Sequence, residues 1–283
     1  MDTTTFRTSI TILILCSNNK IYCTVFSRKS LCKLEVCHNF LIFILQIYKE
    51  NFNYASLKWI IPKVFIATGR HRRSINNLGD LEFDGYVTLN GGYVFAGKDD
   101  VIYKHSIPDK DIEALVRYQE KEGEFPCAFV QEDEIFMNYT DKAVNDVFHL
   151  LNFPAPPIRP IEDIYGKTVY QLIAFFTAEQ EKRIMKVLSH CESTRWNPLF
   201  TDIVPLGSSK RVGIDKMLEH YHIGLDECMA FGDGGNDIQM LSHVGIGVAM
   251  GNAAEDVMSA AGYVTTSVDE NGVYNALKHF NII

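Results

Sequence analysis

The chain has 283 residues, enough for one large domain or two ordinary ones, and 47% of them are apolar, so a substantial core can form. A net charge of −8 argues against a general nucleic-acid or anionic-membrane surface, but not against an anionic small ligand in a locally positive site. The seven cysteines contain no C-x-x-C pair and no zinc-ligand spacing, which points to reduced thiols.

Residues 1–60 form an atypical N-terminal segment. No glycine precedes Gly69 and no proline precedes Pro62; the segment carries seven of the 27 Lys/Arg but only three of the 35 Asp/Glu. Ordinary usage is about 7% glycine, so it does not read as the start of the domain that follows. Its apolar runs, "ITILILC" (10–16) and "FLIFILQI" (40–47), fall well short of the roughly 18–20 residues of a membrane span. Asp2 and Arg7 lie in the leader and no small-residue cleavage site follows, so a cytoplasmic protein is expected.

From residue 61 the pattern becomes regular. "KVFIAT" (63–68) predicts a buried strand ending at Gly69. "DGYVTLNGGYVF" (84–95) predicts two strands about an Asn90-Gly91 turn. Residues 108–123 predict a helix opened by Pro108 or Asp109 and closed by Gly123. Residues 126–139 alternate as a hairpin, 141–152 predict a helix, and Pro154, Pro156, Pro157 and Pro160 stiffen the connection that follows. A strand is expected at 169–176 and a helix at 178–190. Strands and helices then alternate to the end, starting with "TDIVPL" (201–206) and a helix over 210–222. The alternation predicts an α/β fold: a doubly wound, Rossmann-like parallel-sheet core of 61–91 and 191–283, interrupted by an α+β insert at 92–190.

Ligands of a parallel sheet bind at the carboxyl ends of its strands. Four polar clusters fall at such ends: Thr68-Gly69-Arg70, Asn90-Gly91, Ser208-Ser209-Lys210, and the loop from Asp233 to Asp237. Asp233 and Asp237 are hard oxygen donors of the kind Mg²⁺ takes. Gly234 and Gly235 let the backbone approach an ion closely. Asn236 can donate to a phosphate oxygen, Thr68 offers a hydroxyl, and Lys210 is a point cation near a helix N-terminus. Together they describe a phosphoryl site, although each alone has an ordinary reading: Ser-Ser-Lys as an N-cap, Thr-Gly-Arg as a turn, and Asp233–Asp237 as Asx turns.

In order and spacing, "FIATGR", "VTLNGG", "SSK", "AFGDGGNDIQML" and "GVAMGNA" resemble the haloacid dehalogenase-like (HAD) hydrolase superfamily, in its Cof-type subfamily IIB sugar-phosphatase branch, over about residues 60–283. The resemblance implies a Mg²⁺-dependent phosphatase of small phosphorylated metabolites such as sugar phosphates, with no nucleic-acid, membrane or protein partner. It places Thr68 and Gly69 around the phosphoryl group and gives Lys210 the neutralisation of phosphate and nucleophile. Asp233 would ligate Mg²⁺, Asp237 would ligate it or orient its water, and Asn236 would contact phosphate. Arg70 and Asn90 would face the insert, which would act as a cap that selects the leaving group.

The family also carries an N-terminal strand ending in D-x-D-G-T, whose first aspartate attacks phosphorus and whose second is the general acid/base. Residues 1–67 contain one aspartate, Asp2, and no such motif. The nearest positional substitute is Cys16 with Asn18, after "ITILIL", but nothing around Cys16 is arranged to lower a thiol pKa. Three accounts stand at this point: a family member with out-of-frame sequence at its N-terminus, a non-catalytic phosphosugar- or metal-binding remnant, and an enzyme with a displaced nucleophile.

Overall fold

The computed structural model describes residues 12–17 and 20–23 as backbone, together with residues 63–75, 83–97, 100–150, 155–280 and 282. Nine strands build the larger of two sheets. They are β1 (Ile12–Ser17), β2 (Lys20–Cys23), β3 (Val64–Ala67), β4 (Gly85–Thr88), β5 (Tyr93–Ala96), β6 (Asp100–Lys104), β12 (Cys228–Gly232), β13 (Ile246–Ala249) and β14 (Tyr263–Val264). Their order is β14-β13-β12-β1-β3-β4-β5-β6, with β2 paired to β1. β12, β13 and β14 are mutually parallel, as are β3 and β4.

The side chains of β12 alternate between the two faces of this sheet. Cys228 and Ala230 pack under the helices Lys210–Tyr221 (α4), Ile238–Leu241 (α5) and Glu255–Ala260 (α6). Met229 and Phe231 pack under Gly272–His279 (α7) on the other side. Period-two alternation with apolar residues on both faces is what a strand covered on both sides requires.

The smaller sheet is antiparallel and contains β7 (Cys127–Val130), β8 (Ile135–Met137), β9 (Gln171–Ala174), β10 (Cys191–Asn197) and β11 (Phe200–Pro205), in the order β10-β11-β9-β7-β8. The helices Asp109–Glu122 (α1) and Ala178–Val187 (α3) cover one face through Leu115, Val116 and Ile184. Lys142–Leu150 (α2) covers part of the other through Val144, Val147 and Phe148. Thr177 and Gln180 form a capping box that fixes the start of α3.

Strand membership differs from the sequence reading at two places. "TDIVPL", expected among the parallel strands of the core, lies in β11 and pairs antiparallel with β10 and β9 in the smaller sheet. In the other direction, β5 and β6, inside the 92–190 insert as read from sequence, extend the larger sheet as antiparallel strands. An apolar run buried on both faces looks the same in either kind of sheet, because the pairing partner is not local.

β1 occupies the slot between β12 and β3, but it runs antiparallel to both. Ile12 is opposite Phe231 and Leu15 is opposite Cys228, while only Leu13↔Phe65 joins it to β3. Its carboxyl end therefore lies at the amino end of β12. Cys16 is thus roughly 20 Å along the strand axis from Asp233, at about 3.3 Å per residue. The positional substitution of Cys16 for a nucleophile is overturned, because the strand points the wrong way; Asn18 lies outside the described residues.

The turn between β4 and β5 touches the first turn of α4 backbone to backbone. A Cβ on Gly91 (φ +90°) would stand 1.9 Å from the Ser209 carbonyl oxygen, and one on Gly213 would stand 2.4 Å from Val87 Cγ1. Only glycines permit this approach, which brings the start of α4 beside Asn90. Gly91→Ala is expected to destabilise the protein by about 2–4 kcal/mol in urea denaturation, from left-handed strain plus overpacking.

Candidate functional site

Three loops meet at the carboxyl ends of β3, β4 and β12. Thr68 continues β3 by one residue, its N–H donating to the Val87 carbonyl at 2.8 Å, and its hydroxyl accepts from Arg70 N at 3.2 Å. Asn90 N donates to Thr68 O and Leu89 N to Arg70 O, both at 3.2 Å, so the 68–70 and 89–91 loops are stitched together. Asn90 holds a left-handed backbone (φ 52°, ψ 35°) and is buried, a conformation asparagine tolerates better than most side chains. Its Oδ1 accepts from Asn236 Nδ2 at 3.0 Å, linking these loops to the one after β12.

At the base of the crevice Lys210 Nζ lies 2.5 Å from Asp237 Oδ1, with the two side chains 1% and 0% exposed. The second carboxylate oxygen, Oδ2, accepts from the backbone N–H groups of Asp233 (3.1 Å) and Gly234 (2.9 Å). Asp237 sits in the 3₁₀ turn Gly235–Asp237, folded back over Gly232, where an added Cβ would stand 2.5 Å from its own Cβ. Asp233 is half-buried, and its Oδ2 accepts from Asn252 Nδ2 at 2.9 Å. Asn252 is fixed in turn by Val268 N, which donates to its Oδ1 at 3.1 Å.

Thr68, Gly69, Arg70, Asn90, Lys210, Asp233, Asn236 and Asp237 all fall in or beside this crevice. Two are engaged differently from expectation. Arg70 turns back on its own loop, donating from Nη1 to Ser74 O at 3.2 Å, and burial lowers its pKa. Asp237 engages Lys210 through one oxygen and two backbone N–H groups through the other, and so organises the loop. Lys210 arrives from β11 of the smaller sheet, not from a neighbouring parallel strand. Asn252 was not singled out, although it lies in "GVAMGNA" immediately after β13; the clue was its place at a strand's carboxyl end.

A second polar cluster joins the two sheets beside the crevice. Glu132, in the β7–β8 turn, accepts from Tyr93 OH at 2.7 Å and from Lys104 Nζ at 2.6 Å. Lys104, then Tyr93, hold the Glu132 carboxyl below its ordinary value. Burial, then the Glu132 hydrogen bond, push the Tyr93 phenol up to about 12. The next residue after Arg70 is His71, buried, whose Nδ1 accepts from Arg73 N at 3.3 Å and whose Nε2 lies 2.9 Å from Glu132 O. An acceptor at Nδ1 places the ring proton on Nε2, which donates to the Glu132 carbonyl. Burial lowers the His71 pKa.

The chain matches the family described as haloacid dehalogenase-like hydrolase over residues 62–277. A HAD subclass IIB sugar phosphatase, BT4131, is 45% identical, with a TM-score of 0.72 and coverage of 78% of this chain and 86% of that one. BT1666 from Bacteroides thetaiotaomicron, described among phosphatases of the same superfamily, is 33% identical at a TM-score of 0.72, covering 95% of this chain and 92% of its own. A Bacillus subtilis (strain 168) protein with the provisional name phosphatase YkrA is 34% identical over 223 residues, 78% of this chain and 85% of its own length.

Lys210→Met leaves the Asp237 carboxylate buried without its cation, and is expected to cost about 3–5 kcal/mol in urea denaturation. His71 resists protonation when folded, so below its ordinary value of 6.5 the unfolded chain binds the extra proton and stability falls with pH. The stability difference between wild type and His71→Gln should therefore shrink from about pH 7.5 to about pH 5, read from urea midpoints.

Proposed function

The chain belongs to the haloacid dehalogenase-like hydrolases, by family phosphoric monoester hydrolases, and from that premise we propose that it recognises small phosphate monoesters such as sugar phosphates in the crevice of Thr68, Asn90, Lys210 and Asn236. The observation that carries the reading is the buried Lys210–Asp237 pair beneath a loop rich in backbone and amide N–H groups. It holds a cation beneath the crevice and fixes the loop that carries Asn236, and fixed charge of this kind is how phosphoryl sites neutralise charge without reorganisation. Thr68 and Gly69 would hold the phosphoryl oxygens from the β3 side, and Asn236 from the β12 side. Arg70 and Asn90 serve the site by fixing the loops. The smaller sheet and its helices would be the cap that faces the ester's alcohol portion.

Mg²⁺ is the cofactor that the family reading implies, and the residues present fit it poorly. Asp237 is fully buried and already accepts from Lys210 and two backbone N–H groups. Asp233 is then the one carboxylate of this loop still in contact with solvent. Among the described residues no group of three His, Cys, Asp or Glu side chains could hold a metal ion. Mg²⁺ uses one or two carboxylates plus substrate oxygens and water, so Asp233 alone makes half of such a site. No step of the proposal is routed through the metal.

Turnover is the part of the family's activity for which residues 1–67 carry no recognisable motif. Covalent hydrolysis needs a carboxylate nucleophile opposite the cradle. Asp2 is the only aspartate before residue 68, and β1 presents its amino end, not its carboxyl end, to the crevice. The non-catalytic reading, recognition without hydrolysis, is therefore the one favoured for this sequence. Among the described residues no helix is long and apolar enough to cross a membrane.

Isothermal calorimetry tests the recognition. Inorganic phosphate and glucose 6-phosphate should bind in the millimolar range, and Asn236→Ala should weaken both about tenfold, the value of one hydrogen bond to a charged group. Mg²⁺ alone should give no saturable heat. No phosphate binding by the wild type would remove the proposal.

A further inference from the structure

One buried polar side chain on the smaller sheet has no role in the site as described. Gln171 opens β9 and is 2% exposed, and among the described residues its Oε1 has no hydrogen-bond donor. A buried acceptor left unpaired carries its full desolvation cost, so such groups in folded proteins mark a missing partner more often than an accident.

The register shows which way Gln171 faces. It lies opposite Val130 of β7, and by strand alternation it shares a face with Ile173. Leu172 and Ala174 occupy the other face, under α1 and α3. Val130 and Ile173 pack with Leu89, Tyr93 and Tyr170, so the face of Gln171 meets the β4–β5 turn of the larger sheet. Leu89 directly precedes Asn90, whose side chain holds Asn236. The unpaired oxygen thus lies on the face of the smaller sheet that closes against the phosphate crevice.

We propose that Gln171 is a specificity-determining residue whose Oε1 accepts a hydrogen bond from a hydroxyl on the alcohol portion of the bound phosphate ester. The inference rests on the phosphate-ester reading above and narrows it to polyol or sugar phosphates over alkyl phosphates. Of the two classes of ester, only the hydroxyl-bearing one brings a donor to this acceptor. A site built to pair a hydroxyl rejects the analogue that lacks it, because the buried partner stays unsatisfied.

The test is calorimetric binding of glucose 6-phosphate and propyl phosphate to wild type, Gln171→Leu and Gln171→Met. The wild type should prefer the sugar ester about tenfold, the value of one hydrogen bond to a buried group. Both variants should bind the two esters equally; Gln171→Met, close in volume, serves if Gln171→Leu fails to fold. A preference that persists in the folded variants, or is absent from the wild type, overturns the proposal. Failure of the phosphate reading is distinguishable, because the wild type would then bind neither ester nor inorganic phosphate. In that event saturation-transfer NMR with glucose decides the role of Gln171: a wild-type signal lost in the variants sustains a hydroxyl-accepting role, and no signal overturns it.

Discussion

The Lys210–Asp237 pair is the contact on which the rest of the crevice depends. It is fully buried, so each charge is tolerable only in the presence of the other. Lys210 is the first residue of α4 and Asp237 the last of the 3₁₀ turn after β12, so the pair ties a helix start to a loop 27 positions away. The other oxygen of Asp237 gathers the N–H groups of Asp233 and Gly234, which sets the direction of the loop. Asn236 then reaches Asn90, and Asn90 reaches Thr68. One ion pair thereby arranges donors contributed by three strands, and the glycines at 91 and 213 let α4 come close enough for it to form.

The smaller sheet meets this arrangement along a face of mixed character. At one edge Glu132 joins Tyr93, Lys104 and His71, which ties the β7–β8 turn to the loop that carries Thr68 and Arg70. Further in, Val130, Ile173 and Leu89 pack together, with Gln171 opposite Val130 in the register of β9 and β7. In the proposed function these two sides would divide the work: the charged side would fix the phosphoryl group, and the largely apolar side would meet what it is attached to.

Much of the site was legible in the sequence because its residues sit in local signals. Thr68-Gly69-Arg70 closes an apolar strand, Asn90-Gly91 is a turn pair, and Ser209 caps α4 by accepting from Val212 N. Pairings between distant segments were not legible. The pairing of Asp237 with Lys210 depends on a fold-back over Gly232 that no spacing rule contains. β11 belongs to the smaller sheet because of its register with β9 and β10, yet its sequence suits a core strand equally well. Asn252 carries no local signal of its contacts, because Asp233 and Val268, its partners on either side, are 19 and 16 residues away.

The N-terminal strand is where the sequence departs from the family's pattern. β1 fills the central slot of the larger sheet in the antiparallel sense, and among residues 1–67 only Asp2 carries the side chain that covalent phosphoryl transfer in this family requires. The proposed phosphate crevice thus stands in a sequence whose residues 1–67 carry no D-x-D-G-T motif. The most direct test is steady-state hydrolysis of p-nitrophenyl phosphate and glucose 6-phosphate by the full chain with added Mg²⁺. The account predicts no turnover above an Asp233→Ala control. Robust Mg²⁺-dependent hydrolysis that this substitution abolishes would contradict it.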